Sequence, residues 1–393
     1  MPLVHYNDHC GKVYDVDLAA PPEERWTEAA EQFGDQIHKL LAHVDEVLNE
    51  GCAHLPAYWR GTLKLLKSGI ATPLAGTVVR CFGQDYAREL RGISQTIDAP
   101  YGDLVVANIL YDVSQALKND GACSSASFIT SKGRPVLARN MDWDFPDSVG
   151  EHTVICRFHR RGGFYTSIGV AGFVGVLSAQ RNKAWAVTLN QAPAQELPTQ
   201  WAQMPACMHL RAACDRSMNF TSLVRNIMSM RTMSPFFAHV VGTERYEQVA
   251  VTGYGVEYSK REAEGGVLVQ TNHFADEDDE HLNPNRGEFE EDGELFYHDT
   301  YPRYDALFRR LKKQKPGTID AAQHLLKGLP VTNENTMQSM VFCPSASTIR
   351  LRVRPNEEWQ ADEWVCPWCG KDVQCFQGFG EYDCPHCERA FEI

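Results

Sequence analysis

The chain has 393 residues, 43% of them hydrophobic and 23% charged, which is enough to bury one large core and to carry an appendage. Its formal net charge of −13 argues against a nucleic-acid partner, because phosphate binding needs a concentrated basic surface. The sequence contains no run of about 18 apolar residues, so it predicts no transmembrane helix.

The start of the chain, from Met1 to Leu18, has neither the basic nor the apolar segment of a secretory signal, so we expect none. The chain has 13 cysteines, and four of them form two CxxC pairs near the C-terminus. The others are scattered without paired spacing, a pattern typical of a reducing compartment. The sequence therefore predicts a cytoplasmic protein.

Helical patterns dominate the first part of the chain. Residues 4–18 alternate apolar and polar side chains and predict a short strand before Pro21 and Pro22. From Glu24 to Gly51, apolar residues recur at intervals of three and four, which predicts a long amphipathic helix. Further helical patterns follow over residues 58–68, 74–82, 86–96 and 101–117.

Strand patterns dominate after Cys123. The first of them cover residues 125–130, 135–140, 153–159, 164–170, 174–178 and 184–190. Helices over 201–215 and 222–230 then precede strands over 238–243, 248–252, 256–259 and 266–271. An acidic loop leads to helices over 303–313 and 319–327 and to last strands over 338–343 and 347–353. This order predicts two antiparallel sheets that pack together under a cover of helices, an α+β sandwich.

The composition changes after Pro355, and the tail carries two CxxC pairs with fourteen residues between them. This spacing is close to that of a four-thiolate zinc site. A module of about thirty residues is too small to build a hydrophobic core, so it needs a bound metal ion or a similar cross-link to be stable. A redox-active dithiol and a rubredoxin-like iron site are the alternatives. The sequence predicts a structural zinc ion bound by Cys366, Cys369, Cys384 and Cys387. The acidic side chains of this zinc ribbon favour packing on the body or binding to a protein partner.

The segment from Gly121 to Asp144 holds the residues that suggest chemistry. Its cysteine, Cys123, allows three interpretations: a buried structural cysteine, a cysteine-histidine pair of the protease type, and an N-terminal nucleophile. No local signature of a protease pair accompanies it. In the third interpretation, cleavage before Cys123 frees an α-amino group, whose unperturbed pKa of about 8 suits it to take the thiol proton. One residue then supplies both nucleophile and base.

Two charged residues on the next predicted strand support the third interpretation. Arg139 and Asp142 follow Cys123 at a spacing that lets a hairpin return them beside it. A cation there would favour the thiolate, and a carboxylate would orient the amine. The ordinary alternative for this cluster is a solvated hairpin edge.

The motif of Cys123, Ser124 and Ser125, followed by a hairpin and the run from Ala138 to Asp142, resembles a known family. It is similar to the N-terminal-nucleophile (Ntn) amidohydrolases of the choloylglycine hydrolase superfamily, and most of all to the acid ceramidase and N-acylethanolamine acid amidase group. The resemblance covers about residues 10–355. Further motifs in the order of that group lie at residues 89–93, 108–111, 172–175, 188–190, 269–272 and 301–303.

The resemblance implies an αββα four-layer sandwich, self-cleavage between Ala122 and Cys123, and hydrolysis of a hydrophobic N-acyl amide such as a ceramide or an N-acylethanolamine. It implies no catalytic cofactor. The chain would then have a helical segment over residues 1–122, a catalytic core over 123–355 and the zinc ribbon over 360–393. The matching residues, by implied role, are Cys123 as nucleophile, Arg139 and Asp142 as its supporting pair, Asn272 as oxyanion donor, Asn190 near the oxyanion or the substrate, and Arg303 as a distal arginine. Judged on their own, Asn190 and Asn272 are ordinary strand-end residues.

The chain departs from the family pattern at three places. Ser124 stands where the family usually has threonine, and the loop between Tyr111 and Cys123 is longer. A single arginine, Arg303, stands where acid ceramidases carry a pair, which is closer to the acyltransferase and penicillin-acylase branches. An acyltransferase on the same scaffold and a non-enzymatic zinc-ribbon interaction protein therefore remain alternatives.

A stripe of apolar side chains runs beside basic ones in the predicted helix over residues 58–68. Its members are Trp59, Leu63, Leu65 and Leu66, with Arg60, Lys64 and Lys67 next to them. Packing against the body is the ordinary explanation for such a stripe, and weak contact with a membrane surface is the alternative.

Overall fold

Two β-sheets lie face to face at the centre of the molecule, and helices pack on the outer faces. In this computed structural model the described residues are 4–6, 13–51, 60–61, 64, 79–117, 122–143, 150, 152–193, 200, 202–255, 257–283, 300–333, 335–353, 364–365, 372–373, 381–383 and 390–392. None of the helices in that part of the chain combines the length and the hydropathy needed to cross a bilayer. The α+β class predicted from the sequence is confirmed.

One sheet has six strands and the other has eight. Their strands are β1 (Val4–Tyr6), β2 (Val13–Asp17), β3 (Ala122–Ile129), β4 (Pro135–Asp142), β5 (Thr153–Arg160), β6 (Gly163–Val170), β7 (Ser178–Arg181), β8 (Trp185–Gln191), β9 (Phe236–Val241), β10 (Gln248–Gly253), β11 (Tyr258–Glu262), β12 (Val267–Gln270), β13 (Thr336–Cys343) and β14 (Thr348–Val353). The six-stranded sheet has the order β1-β14-β13-β4-β3-β12, and the eight-stranded sheet has the order β11-β10-β9-β8-β7-β6-β5-β2. Neighbouring strands are antiparallel, except that β1 runs parallel to β14 and β2 runs parallel to β5.

Helices come from three stretches of the chain. In the described residues they are α1 (Thr27–Gly51), α2 (Gln84–Ile97), α3 (Tyr101–Asn108), α4 (Leu110–Leu117), α5 (Ala206–Arg216), α6 (Phe220–Ile227), α7 (Thr300–Lys313) and α8 (Ile319–Leu325), with short 3-10 helices over Pro22–Glu24, Glu277–Leu282 and Pro344–Ala346. Helices α7 and α8 pack on the six-stranded sheet. On the eight-stranded sheet, Arg211 of α5 and Trp26, just before α1, both contact the ring of Phe158.

The hairpin of β3 and β4 separates two environments, because successive side chains of a strand face opposite ways. Cys123 of β3 and Arg139 of β4 contact each other on the side of the eight-stranded sheet. On the other side, Ser124 accepts a hydrogen bond from Arg303 of α7, and Asn140 donates to backbone carbonyl groups next to α8. The two faces of this hairpin therefore bring groups from both sheets and from the helix layer around one cysteine.

The segment before Cys123 is tied to the core around helix α2. Gly92 packs so closely on the first 3-10 helix that an added Cβ atom would lie 1.9 Å from the Glu23 carbonyl oxygen, so no larger residue fits without moving backbone. One turn earlier on α2, the fully buried Glu89 accepts hydrogen bonds from Arg25 and from Arg211 of α5. A buried ion cluster thus joins residues on both sides of the predicted cleavage point.

Of the predictions for the segment before Cys123, one is incomplete and one is wrong. The short strand predicted within residues 4–18 is confirmed as β2, at the edge of the eight-stranded sheet, but a second strand, β1, lies at the edge of the six-stranded sheet. Residues 101–117 form two helices rather than one, with Ile109 between them at φ −107° and ψ 7°. The side chain of Asn108 bonds to the Leu104 and Gly172 carbonyl groups there and competes with the helical pattern.

Two predictions after Cys123 are also wrong. Residues 174–178 are not a strand, because Val174 donates to the Asn108 side chain and Val176 to the Cys207 carbonyl group instead of to a neighbouring strand. The helix predicted over 201–215 begins later, at Ala206. The other strands and helices predicted in this part lie within a few residues of the observed ones.

Several predictions fall outside the described residues. The helices predicted over residues 58–68 and 74–82, with their apolar stripe, lie mostly there, and so does the loop over 118–121. In the tail, β15 (Trp364–Val365) pairs with β16 (Asp372–Val373), and β17 (Glu381–Asp383) pairs with β18 (Ala390–Glu392). The four cysteines of the predicted zinc site also lie outside the described residues.

Candidate active site

Three atoms of Cys123 are each held by a different side chain. Its Sγ lies 3.1 Å from Nη2 of Arg139, its backbone N–H donates to Oδ1 of Asn272 at 2.8 Å, and its carbonyl oxygen accepts from Nη1 of Arg303 at 2.7 Å. The residue is the second of β3 and only 6% exposed. The cysteine is therefore fixed from three directions by the fold itself.

Arg139 is buried between the two sheets and bonds to neutral oxygens. Its Nη1 donates to the Leu177 carbonyl oxygen at 3.1 Å and to Oγ of Ser178, and its Nη2 donates to the Leu189 carbonyl oxygen at 2.6 Å. Among the described residues no carboxylate forms an ion pair with this guanidinium group. Its positive charge is therefore not cancelled locally and can stabilise a thiolate on Cys123.

Asn272 and Arg303 form the other side of the site. Asn272 comes two residues after β12, and its Oδ1 accepts from the Cys123 N–H and, at 3.1 Å, from Nη2 of Arg303. Its Nδ2 donates to the Gln191 carbonyl oxygen at 2.9 Å, and its backbone N–H donates to Oγ1 of Thr300 at 2.9 Å. Asn272 thus holds the nitrogen of Cys123, while its role as oxyanion donor stays a prediction.

Asp142 leaves β4 on the side opposite to Arg139, because residues three apart in a strand face opposite ways. Its Oδ1 accepts from Oγ1 of Thr336 at 2.6 Å, and its backbone lies directly opposite Ala122 in the hairpin register. The structure therefore brings Asp142 beside the predicted scissile residue. The N–H of Cys123, which Asp142 was predicted to hold, donates to Asn272 instead.

Asn190 belongs to a network behind the cysteine. Its Nδ2 donates to Oγ of Ser125 at 3.1 Å and to the Gln270 carbonyl oxygen at 2.9 Å. Oγ of Ser125 also lies 3.1 Å from Nδ1 of His239, and burial lowers the pKa of His239 to about 3, so this imidazole is neutral. Asn190 thus braces the strand that carries Cys123, and its contact with a substrate stays a prediction.

Two buried acidic groups lie on the helices that flank the site. Burial raises the pKa of Asp112, on α4, to about 7, and its Oδ1 accepts from the N–H of Ala206 at 3.1 Å. Cys207, the next residue of α5, is close enough to Cys123 and Arg139 to interact with both electrostatically. Burial raises the pKa of Cys207 well above its ordinary value, which favours the neutral thiol over the nucleophilic thiolate.

An apolar cavity begins at Met141, the residue that pairs with Cys123 across the hairpin. Helices α1, α3 and α4, the end of β4 and the turn over residues 170–173 line it, and it encloses about 540 Å³ of space between atoms, part of it open to solvent. Met141 lies directly opposite Cys123 in the hairpin register and forms part of the cavity wall. Leu177, whose carbonyl group binds Arg139, forms another part. The cavity is therefore placed to hold an apolar group attached to a carbonyl carbon at Cys123.

Three further residues, which were not predicted from the sequence, hold the predicted ones in place. Ser178 accepts from Arg139, Gln191 accepts from Asn272, and Thr300 accepts from the backbone of Asn272. Gln191 directly follows the motif over 188–190, and Thr300 directly precedes the motif over 301–303. Their positions next to these motifs could therefore have identified both as residues near the site. Ser178 carried no signal, because only the packing of the two sheets brings it to Arg139.

The fold and the site define an α+β sandwich in which a cysteine on an inner strand is held between two arginines, an arrangement suited to covalent acyl chemistry. Comparison with known proteins points to one group. The family described as the beta subunit of N-acylethanolamine-hydrolyzing acid amidase matches residues 12–53 of this chain. That stretch contains β2 and α1.

Two relatives from Caenorhabditis elegans match a larger part of the chain. An N-acylethanolamine-hydrolyzing acid amidase is 25% identical over 258 residues, which cover 61% of this chain and 66% of the relative. A probable acid ceramidase is 24% identical over 192 residues, which cover 45% of this chain and 44% of the relative. The chain thus spans less than two thirds of the length of either relative.

One solved structure is similar as well. The Caenorhabditis elegans N-acylethanolamine-hydrolyzing acid amidase (NAAA) ortholog superposes with a TM-score of 0.45 and 19% sequence identity, over 60% of this chain and 96% of that chain. The sequence matches support the Ntn-hydrolase resemblance that the motifs around Cys123 indicated.

Proposed function

We propose that this chain is a cysteine Ntn amidohydrolase, activated by self-cleavage before Cys123, that hydrolyses a hydrophobic N-acyl amide. The proposal rests on three contacts of Cys123. Arg139 contacts its sulfur, Asn272 accepts a hydrogen bond from its N–H, and Arg303 donates one to its carbonyl oxygen. The relatives named as an acid amidase and a probable acid ceramidase support the same reading of the site.

In the proposed maturation, Sγ of Cys123 attacks the carbonyl carbon of Ala122, and the peptide C–N bond breaks. The acyl group moves from nitrogen to sulfur, and the thiol proton passes to the nitrogen, which becomes an α-amine. Water then hydrolyses the thioester and leaves a carboxylate on Ala122 and a free thiol on Cys123. The 2.8 Å bond from this nitrogen to Oδ1 of Asn272 would hold it in the same place after cleavage.

In the proposed turnover, the α-amine of Cys123 takes the thiol proton, and the thiolate attacks the carbonyl carbon of the substrate amide. Arg139, 3.1 Å from the sulfur, stabilises the thiolate. Asn272 and a backbone N–H stabilise the negative oxygen of the tetrahedral intermediate. The C–N bond then breaks, the leaving amine takes the proton from the α-ammonium group, and water hydrolyses the acyl thioester to a free acid.

The apolar cavity supports a lipid acyl chain as the part of the substrate that binds. Its walls are almost entirely aliphatic and aromatic side chains, and it reaches Met141 opposite the cysteine. A chain of methylene groups gains free energy from such burial in proportion to the apolar area that it removes from water. The carbonyl group at the end of that chain would lie beside Cys123.

Intact mass under denaturing conditions tests the maturation step. The purified chain should give two fragments, residues 1–122 and residues 123–393, whereas Cys123→Ala should give only the full-length chain. Cys343→Ala, which removes another buried thiol far along the six-stranded sheet, is the matched control and should be cleaved like the original chain. An uncut chain that still hydrolyses amides would contradict the maturation.

A substrate panel tests the reaction itself. Ceramides, N-acylethanolamines, bile-salt conjugates and penicillins differ in their acyl and amine parts, and we expect acid release from the long-chain amides first. Adding an amine or an alcohol acceptor separates hydrolysis from acyl transfer, because an acyltransferase would pass the thioester to the acceptor faster than to water. No release from any member by cleaved enzyme would contradict the proposed function.

We further propose that the tail is a zinc ribbon bound through Cys366, Cys369, Cys384 and Cys387. In sequence, each CxxC pair lies between two strands that pair with each other, β15 with β16 and β17 with β18. Four thiolates are the closed tetrahedral set that zinc prefers. The purified chain should contain one zinc ion and lose it in Cys366→Ser, whereas Cys375→Ser, between the pairs, should keep it. Iron in place of zinc would contradict the proposal.

A further inference from the structure

Two apolar cavities meet at Ile37 of helix α1. The first is the cavity next to Cys123. The second has about 270 Å³ of space between atoms, part of it open to solvent, and lies between α1, α2 and the strands β2 and β5. Among the described residues, Ile37, Ala171 and Gly172 line both cavities. The far walls of the second cavity are the side chains of Tyr14, Trp26, Ala29, Ala30, Phe33, Ile93, Val154 and Cys156.

The partition between the cavities is a tight contact. A Cβ atom added to Gly172 would lie 3.0 Å from Cγ2 and 3.3 Å from Cγ1 of Ile37, so the isoleucine side chain packs directly on the glycine backbone. Gly172 has φ +79°, which favours glycine at this turn. Ile37 itself is only 3% exposed. The side chain of one residue therefore closes the space between the two cavities.

The turn that carries Gly172 is held in place on both sides. Nδ2 of Asn108 donates to the Gly172 carbonyl oxygen at 3.0 Å, and Oδ1 of Asn108 accepts from the Val174 N–H at 2.8 Å. The N–H of Ala171 donates to the His152 carbonyl oxygen at 2.9 Å. Because the turn is fixed, the width of the opening depends on the side chain at position 37.

We propose that Ile37 sets the upper limit on the length of the acyl chain that the cavity next to Cys123 accepts. This inference rests on the proposed function, since it assumes that an acyl chain enters that cavity from the cysteine. The second cavity is then unused space behind the wall. A smaller side chain at position 37 would join the cavities and admit several more methylene groups, each of which strengthens binding about fourfold when it is buried.

Binding of free fatty acids of graded length tests the limit without requiring catalysis. The purified protein, with both fragments present, and its Ile37→Ala variant would be titrated with saturated fatty acids of increasing length, by displacement of a fluorescent fatty acid. Ile93→Ala is the matched control, because it deletes the same atoms from a side chain that lines only the second cavity and is equally buried. Ile37→Val, a smaller change, guards against a variant that fails to fold.

In Ile37→Ala we expect a longer fatty acid to bind most tightly. The affinity for this longer fatty acid, divided by the affinity for the one that the original chain prefers, should rise at least tenfold. Ile37→Val should shift the preferred fatty-acid length in the same direction by less, and Ile93→Ala should leave the preferred length unchanged. Adding Ala30→Leu to Ile37→Ala fills the second cavity and should restore the original preference. An unchanged length preference in Ile37→Ala, with fatty acids bound, would overturn this inference and leave the proposed function intact. Failure of every fatty acid to bind the original chain would overturn this inference too, whereas acid release from the substrate panel tests the proposed function separately.

Discussion

Two buried arginines, Arg211 and Arg139, lie at similar depth in the molecule and have opposite surroundings. Arg211 donates from both of its terminal nitrogens to Glu89, and its Nε lies 3.7 Å from the carboxylate of Asp215. Arg139 donates to carbonyl and hydroxyl oxygens and contacts the sulfur of Cys123. Both are 1% exposed or less, so water screens neither charge.

This difference separates a charge that holds the fold from one that is available for chemistry. Burying an ion without a counter-charge costs several kcal/mol, and Arg139 carries that cost without an ion pair among the described residues. Its field acts on the thiol instead. Arg211 is neutralised by Glu89, which comes from the segment before the predicted cleavage point, while Arg211 belongs to the core after it. We therefore expect Arg211 to govern stability and Arg139 to govern reactivity.

The largest effect is expected for Arg211→Met, which leaves the carboxylate of Glu89 buried with less of its counter-charge. Breaking a buried ion pair from one side costs about 3–5 kcal/mol of the free energy of unfolding. Urea denaturation of Arg211→Met and of the original chain, both carrying Cys123→Ala so that neither is cleaved, would measure the loss. Arg25 still donates to Glu89 at 2.8 Å, which keeps the carboxylate partly paired.

The double variant Glu89→Gln with Arg211→Met provides the control. Because it removes the anion together with the cation, it should cost less than the sum of the two single variants. Simple additivity, or a loss in Arg211→Met below about 1 kcal/mol, would contradict the view that this pair holds the two sides of the cleavage point together.

The next effect is expected for Arg139→Met, and it should fall on the rate. Removing a fixed cation from a site where negative charge develops costs about 100–1,000-fold in kcat. Self-cleavage, followed by intact mass over time, should slow as well. Arg139→Lys keeps a positive charge without the forked geometry and should recover part of the rate. A rate equal to that of the original enzyme, or a loss of stability as large as in Arg211→Met, would break the comparison between the two arginines.

Much of this site could be predicted because it lies on a local motif. Cys123 and Arg139 are joined by a short hairpin, and antiparallel pairing returns the second strand beside the first. The odd spacing between Arg139 and Asp142 indicates that the two side chains face opposite ways, so only Arg139 lies on the same side of the hairpin as the sulfur of Cys123. The bond from Cys123 to Asn272 spans 149 positions and could be reached only through family resemblance.

Parts of the fold could not be predicted because they depend on contacts between residues that are far apart in the sequence. The alternation over residues 4–18 marks strand structure, but it does not tell which sheet edge the strand joins, and β1 and β2 join different sheets. The break at Ile109 depends on Asn108 reaching a turn 64 positions away. The apolar cavities depend on the placement of α1 against that turn, which no periodicity in the sequence encodes.

The last effect depends on pH and concerns Asp112, a buried carboxyl group that sharpens the comparison because its charge would be opposite to that of Arg139. Burial raises the pKa of this carboxyl group from an ordinary value of 3.8 to about 7, and no described cation forms an ion pair with it. Between about pH 4 and pH 7 the folded chain keeps the proton while the unfolded chain loses it. Because the unfolded state then binds fewer protons, the free energy of unfolding falls as the pH rises, by about 1.4 kcal/mol for each unit.

Asp112→Asn should remove this part of the pH dependence, since an amide keeps the oxygen that accepts from Ala206 at 3.1 Å but carries no proton to lose. Unfolding would be followed by urea denaturation at several pH values from about 4 to 8, with Cys123→Ala in both chains. We expect the two chains to be similar near pH 4 and the variant to be the more stable one above pH 7, because only the original chain must bury a charge there. Parallel curves across the whole range would mean that a buried carboxylate is tolerated next to α5 without a cation. The unpaired charge of Arg139 would then be ordinary for this core and no sign of function.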